Sequence, residues 1–179
     1  MPIQFDLSEY KNPIFIETGT YNGDGVVKAL ESGFEQIYSI ELDEERYQYC
    51  KEKFFDNDNV EILLGDSGKV LPELLKKIDK KVTFWLDAHY CGDGATVGEK
   101  WCPFKEELDA IYNHKIKQNT IMINNWNCMN NTHIDNNTNR EVGYIGEENC
   151  LNKLRMINQN YELYFEHGSE ICDVLICTI

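Results

Sequence analysis

The sequence predicts an α/β fold: a seven-stranded, mostly parallel sheet with helices on both faces and a C-terminal antiparallel hairpin. Three observations predict it. Apolar extended runs alternate along the chain with amphipathic stretches, the pattern of a parallel sheet covered by helices. The first five extended runs are separated by stretches that serve as the crossovers parallel neighbours require. The last two runs are separated only by the short turn at His167-Gly168-Ser169 and therefore pair as a hairpin. No repeat or linker interrupts the series, so residues 13–179 read as one domain behind an N-terminal extension, residues 1–12.

Each element has its own signal. Pro13–Glu17 reads as the first buried strand. Asp24 suits the cap of a helix carrying Val26, Val27, Ala29 and Leu30, and Gly33 suits its left-handed end. Ile37–Leu42 is the second strand, and Asp43 caps a helix whose inward residues are Tyr47, Cys50 and Phe54. Val60–Leu64 is the third strand. The helix after it presents Leu71, Leu74, Leu75 and Ile78 on one face, with Pro72 placed in its first turn. Lys81–Leu86 is the fourth strand, and a long loop, Asp87–Cys102, leads to a helix lined by Phe104, Leu108, Ile111 and Tyr112. Thr120–Ile123 is the fifth strand. Residues 124–146 are polar and Asn-rich, the composition of an active-site loop. A helix with Cys150, Leu151, Leu154 and Ile157 precedes the final strands, Tyr161–Phe165 and Cys172–Ile179.

The totals narrow the function. At 179 residues the chain has the size of one ordinary domain. No apolar run approaches the roughly 20 residues that cross a bilayer. The opening residues 1–6 carry neither the basic nor the apolar region of a secretory signal, so a cytoplasmic protein is expected. The net charge of -14 repels phosphate backbones and anionic lipid, which argues against nucleic-acid and membrane partners. Lys76, Lys77, Lys80 and Lys81 read as a solvated helix end. The cysteines number seven, with no C-x-x-C pair, and read as reduced thiols. Self-association into a homo-oligomer is left open.

In an open α/β sheet, ligands bind beyond the carboxyl ends of the strands, where the strand order reverses. Chemistry-bearing residues cluster at those ends. Glu17 to Gly25 (E-T-G-T-Y-N-G-D-G) follows the first strand and brings Thr18, Gly19, Tyr21 and Gly23 to the rim. Gly19 and Gly23 would let the backbone approach a ligand where a Cβ would collide. The spacing G-x-x-x-G-x-G differs from the G-x-G-x-x-G of pyrophosphate binding. Glu17, two places before the first glycine, is a poor neighbour for a pyrophosphate and suits a ligand bearing an amino group. Both features count against a nicotinamide-dependent dehydrogenase. Glu41 ends the second strand, where a carboxylate can accept both hydroxyl protons of a ribose. Asp66 and Ser67 end the third strand; Asp66 could accept from an exocyclic amine, or either residue could simply cap the next helix.

The strings I-E-T-G-T-Y-N-G-D-G, S-I-E-L-D and L-L-G-D-S-G-K-V-L-P-E-L-L resemble, in order, the successive motifs of class I S-adenosylmethionine-dependent methyltransferases, a Rossmann-like fold. F-W-L-D-A-H-Y, G-A-T-V-G and C-P-F-K-E-E-L-D-A-I are similar to one branch of that superfamily. The resemblance spans nearly the whole chain. It implies S-adenosylmethionine as cofactor, with Glu17 and Gly19 by the methionine moiety, Glu41 by the ribose, and Asp66 with Ser67 by the adenine. It implies methyl transfer to a small-molecule or sugar acceptor, expected at oxygen.

The acceptor side follows a related layout with one departure. Macrocin-type and catechol-type O-methyltransferases resemble this chain and place an Asp after strand four and an Asp-Asp or Asp-Asn pair after strand five, together holding magnesium. Asp87 matches the first, but the pair here is Asn124-Asn125. Loss of a carboxylate should weaken a Mg²⁺ site at Asp87, Asn124 and Asn125, because magnesium favours hard, charged oxygen ligands. His89 offers another route, as the base that takes the acceptor's proton beside Asp87, although a loop histidine bonded to backbone reads the same way. Tyr90 suits a substrate-stacking or lid residue. His89, Cys91, Cys102 and Cys128 share one rim, but their spacing matches no zinc motif. The Asn124-Asn125 departure also motivates a second class of reading: a methyltransferase fold that binds cofactor without catalysing and serves as a regulatory or partner subunit.

Overall fold

A computed structural model of the chain describes residues 3–89, 96, 98–130, 134–135, 140–141, 143–168, 171 and 173–179. Its sheet has seven strands in the order β3-β2-β1-β4-β5-β9-β8. These are β1 (Ile14–Thr18), β2 (Gln36–Glu41), β3 (Val60–Leu64), β4 (Val82–Leu86), β5 (Thr120–Ile123), β8 (Glu162–Glu166) and β9 (Val174–Thr178). The first five are parallel, while β9 runs antiparallel to β5 and to β8. A small antiparallel ribbon, β6 (Ile134–Asp135) with β7 (Arg140–Glu141), stands apart within the Asn-rich segment.

Strand alternation sorts the interior into two layers. Phe15, Ile37, Trp85 and Met122 point to one face, covered by α1 (Asp24–Glu31) and α2 (Glu44–Lys53). Ile14, Ile16, Ile40, Phe84 and Ile121 point to the other, under α3 (Ser67–Leu75), α4 (Phe104–Asn113) and α5 (Glu147–Ile157). Nearly every residue of β1, β4 and β5 is buried, as expected of central strands covered on both faces. The described part of the segment read as an N-terminal extension packs on the first face: Ile3, Leu7 and Tyr10 are buried there, and the Phe5 ring lies 6.2 Å from Trp85.

Local chemistry sets the helix starts. Asp43 caps α2 by accepting from Arg46 N at 3.0 Å, and Asp66 caps α3 by accepting from Gly68 N at 2.9 Å. Two expectations need correction. The cap of α1 is Gly23, in the left-handed region at φ 79, and Asp24 is the first helical residue, where its charge suits the helix dipole. Because Asp66 starts α3 so early, Pro72 falls inside the helix instead of in its first turn, and its missing N–H removes the bond to the Gly68 carbonyl. The lysines after α3 are solvated, with Lys76 on Glu73 and Lys80 on Glu35.

The chain runs outward from β1 to β3 and then returns to place β4 on the other side of β1. The order reverses between β1 and β4, so a crevice must open where their carboxyl ends diverge. Leu108 is fully buried at the centre of the α3–α4 layer beneath that crevice. Leu108→Ala is expected to lower the unfolding free energy by about 2–5 kcal/mol in urea titration without abolishing folding.

Candidate active site

The turn after β1 and the turn after β4 press against each other at the switch point. Asp87 N donates to the Thr18 carbonyl at 3.2 Å, and Gly19 N donates to the Ile40 carbonyl of β2 at 2.9 Å. Gly19 sits at φ 85, and a Cβ there would lie 2.8 Å from the Asp87 carbonyl oxygen. Only glycine permits this crossing. The next turn residue, Tyr21, is a non-glycine at φ 51, a strained conformation held by several contacts. Its N–H donates to Glu41 Oε2 at 2.7 Å, its carbonyl accepts from Cys50 Sγ at 3.4 Å, and the Arg46 guanidinium lies 4.4 Å over its ring.

Beyond this crossing lies a cleft of about 440 Å³, within the range of roughly 300–1,000 Å³ common for small-molecule sites. Gly19, Tyr21, Glu41, Asp66, Ser67, Asp87 and His89 all line it. Glu41 is fixed by two backbone donors, Tyr21 N on Oε2 and Asp43 N on Oε1 at 2.8 Å. Asp66 Oδ1 caps α3, and the residue also lines the cleft, with Gly98 close to Oδ2. A strap of residues closes this end, with Thr96 hydrogen-bonded to Asp43, Glu99 paired with Lys69 at 2.5 Å, and Lys100 paired with Glu106 at 2.9 Å.

Three predicted cofactor residues sit behind the cleft wall. Glu17 is buried and opens only to a small adjoining recess that shares Gly19, Tyr21, Asp24 and Asp87 with the cleft. Its Oε2 accepts from Ser39 Oγ at 2.6 Å, and Ser39 in turn meets Thr20 Oγ1 at 2.7 Å. Thr18 is fully buried, its hydroxyl accepting from Asp87 N at 3.2 Å. Gly23 lines neither space: a Cβ there would lie 2.6 Å from the Phe54 ring, so this glycine serves helix packing and not close approach of a ligand.

On the acceptor side, Asp87 Oδ1 accepts from Asn124 Nδ2 at 2.8 Å, and His89 Nδ1 stands 3.2 Å from the same oxygen. The other ring nitrogen of His89 lies 2.8 Å from Asn125 Nδ2. Asn125 holds this position from the left-handed region, at φ 57. Burial pushes the Asp87 carboxyl up, but its bond and charge interaction with His89 and the Asn124 amide outweigh it, and the net shift is downward. Asp87 is therefore a carboxylate facing the cleft.

The magnesium expectation does not fit this donor set. The only carboxylate among Asp87, Asn124 and Asn125 is Asp87, and both amides turn their NH₂ groups, not their oxygens, toward the Asp87–His89 pair. Among the described residues no group of three His, Cys, Asp or Glu side chains could hold a metal ion. The zinc arrangement also lacks support: Cys102 is fully buried, with its thiol raised well above the usual range by burial, and Cys91 lies outside the described residues. Tyr90 also lies outside them. No described helix is long and apolar enough to cross a membrane.

Sequence reasoning missed Glu107. It occupies the apolar stripe of α4 with Phe104, Leu108 and Ile111, is fully buried, and accepts from Ser67 Oγ at 2.6 Å beneath the cleft. A glutamate on the buried stripe of an amphipathic helix was the available signal. Burial pushes its carboxyl up to about 7, against the pull of hydrogen bonds from Ser67 and Thr18. Burial likewise pushes Glu17 up to about 8, with Asp87 and Glu41 adding to the rise and the Ser39 hydroxyl opposing it.

No protein-family model matches the chain, and no curated protein matches it. Solved structures do. A candidate O-methyltransferase of Klebsiella pneumoniae aligns with a TM-score of 0.60 at 11% identity, over 97% of this chain and 76% of its own. The SAH-bound methyltransferase PaMTH1 of Podospora anserina gives 0.57 at 11% identity, over 96% of this chain and 74% of its own. An O-methyltransferase of Bacillus cereus in complex with SAH gives 0.55 at 13% identity, over 97% and 77%. The chain shares the Rossmann-like fold of these methyltransferases.

The two raised carboxyls make stability pH-dependent in a fixed direction. Each binds its proton more tightly folded than unfolded, so its contribution is complete below the ordinary value of 4.5 and is lost as pH rises through about 7 for Glu107 and about 8 for Glu17. The unfolding midpoint in urea is expected to fall between pH 5 and pH 8. Glu107→Gln, which keeps the shape without the charge, should flatten the lower part of that decline.

Proposed function

We propose that the chain transfers a methyl group from S-adenosylmethionine to a small-molecule or sugar acceptor, at oxygen. The observation that carries this reading is the convergence of Glu41, Asp66 and Asp87 on one cleft beside the Gly19 crossing. Carboxylates crowded at one rim of a protein already carrying a charge of -14 favour a cationic ligand. A nucleoside bearing a sulfonium and an ammonium group meets that demand. Glu41, fixed by backbone donors, suits the ribose hydroxyls; Asp66 suits the adenine amine; Gly19 and Asp87 flank the sulfonium end. The neighbours named for SAH binding and O-methylation share this fold and support the same cofactor.

The sulfonium carbon is already activated, so the protein's task is alignment of acceptor oxygen, methyl and sulfur in line. With S-adenosylmethionine bound, the Asp87–His89 pair would take up the proton that the acceptor oxygen gives up as its bond to the methyl carbon forms and the C–S bond breaks, releasing S-adenosylhomocysteine. Soluble, cytoplasmic action on a diffusible acceptor fits the acidic surface.

A second reading, cofactor binding without catalysis in a regulatory or partner subunit, draws on one observation. Both ring nitrogens of His89 face protein groups, Asp87 on one side and Asn125 on the other, leaving the imidazole engaged.

Thermal shift with S-adenosylhomocysteine and with NAD tests the cofactor. Stabilisation is expected with the former alone, and stabilisation by NAD alone would sink the reading. Glu41→Ala should weaken S-adenosylhomocysteine binding on the order of tenfold or more, the loss of a charge-assisted hydrogen-bonding site, measured by calorimetry. Turnover against an acceptor panel separates the two readings: tight binding with no transfer to any acceptor favours the second.

A further inference from the structure

We propose that His89, Asn124 and Asn125 are positioning residues that hold Asp87 toward the methyl-transfer cleft in place of a divalent cation. The proposal rests on the methyltransferase reading above and assigns the acceptor rim a cation-free design.

A carboxylate at Asp87 calls for a proton on His89 Nδ1, 3.2 Å away. A neutral ring then carries its lone pair on Nε2, and Asn125 answers by presenting its NH₂ there at 2.8 Å. Asn124, nearly fully buried, presents its NH₂ to Asp87 Oδ1 at 2.8 Å. The Asn124 amide and the imidazole thus aim positive dipole ends at the carboxylate, with Asn125 holding the far nitrogen of the ring, and together they perform the electrostatic service of a bound cation.

The backbone supports the same assignment. Asn124 N donates to the Leu86 carbonyl at 3.1 Å, which extends the β4–β5 pairing one step and sets the Asn124 side chain beside Asp87. Asn125 then takes the left-handed region, which turns its side chain to the other flank, toward His89. Asparagine tolerates that conformation better than most side chains. Consecutive residues at the end of β5 thereby reach two different partners at the end of β4. In this arrangement His89 is a cross-link between Asn125 and Asp87, and Asp87 is the group that faces the reacting atoms.

Two measurements on the full chain test this, neither needing an identified acceptor. The first titrates the protein with Mn²⁺, with and without S-adenosylhomocysteine, and reads the free-ion electron paramagnetic resonance signal. Wild type is expected to leave the signal undiminished. Asn124→Asp/Asn125→Asp is expected to take up one ion, and a further Asp87→Asn should abolish it. One ion bound by wild type and lost in Asp87→Asn would overturn the proposal. A double variant that folds by circular dichroism yet takes up no ion would also overturn it, because the amides would not then stand where a cation belongs.

The second measurement compares calorimetric affinities for S-adenosylmethionine and S-adenosylhomocysteine, which differ by the sulfonium charge. Wild type should favour the charged form. Asn124→Ala and His89→Ala should reduce that preference about threefold to tenfold, the scale of one misaligned charge in a partly solvated cleft. His89→Gln should retain it, since its amide still donates to Asp87. An unchanged ratio in both alanine variants would overturn the positioning role. Failure of wild type to bind either nucleoside would instead remove the cofactor reading, and the Mn²⁺ result would still decide whether the amides replace a cation.

Discussion

The structure depends on one close backbone crossing. The turn leaving β1 passes directly against the end of β4, and the contact is so tight that the only side chain Gly19 can carry is hydrogen. The crossing is imposed by strand order: β4 enters the sheet beside β1 only after the chain has gone out to β3 and come back. Because these two ends diverge to opposite sides, a crevice opens there and nowhere else along the parallel part of the sheet. The hydrogen bond from Asp87 N to the Thr18 carbonyl ties both ends together, so displacement of either would move Asp87 and the glycine turn as a unit.

That crossing forces carboxylates together. Glu17, Glu41 and Asp87 end neighbouring strands, and Asp66 starts the helix after the next one. Left in water they would repel; inside the fold each is held by specific donors. Ser39 serves Glu17, two backbone amides serve Glu41, the first turn of α3 serves Asp66, and Asn124 serves Asp87. The most buried member, Glu17, responds to the crowding by holding its proton to about 8, while Asp87, with its donors, stays ionised. The rim therefore sets a carboxyl that keeps its proton beneath the glycine turn beside an ionised Asp87 at the cleft.

The helices contribute more than cover. α4 reaches beneath the cleft to set Glu107 under Ser67, and α2 sends Arg46 over the Tyr21 ring at the opposite edge. Before α4, Thr96 hydrogen-bonds to Asp43, Gly98 lies close to Asp66, and Glu99 pairs with Lys69 of α3. Cleft-lining residues are thus braced from three elements distant in sequence, which is how a site on loops acquires the rigidity of the scaffold.

Local patterns were enough to read the sheet. The apolar runs at 14–18 and 120–123 are bounded by turn residues, and burial on both faces writes a nearly continuous apolar string whatever the neighbours are. The strand-end positions of Glu41, Asp66, Asp87 and Asn124 were legible for the same reason, since a parallel sheet sends all its carboxyl ends to one rim. Tertiary structure alone decided which rim residues face the cleft. Glu17 and Thr18 sit two places and one place before Gly19, yet the pleat and the β4 contact turn them inward, while Gly23 spends its missing side chain on Phe54. It also decided the partners of Asn124, Asn125 and Glu107, because a hydrogen bond between the ends of two strands, or between two helices, depends on distances that no local sequence pattern encodes.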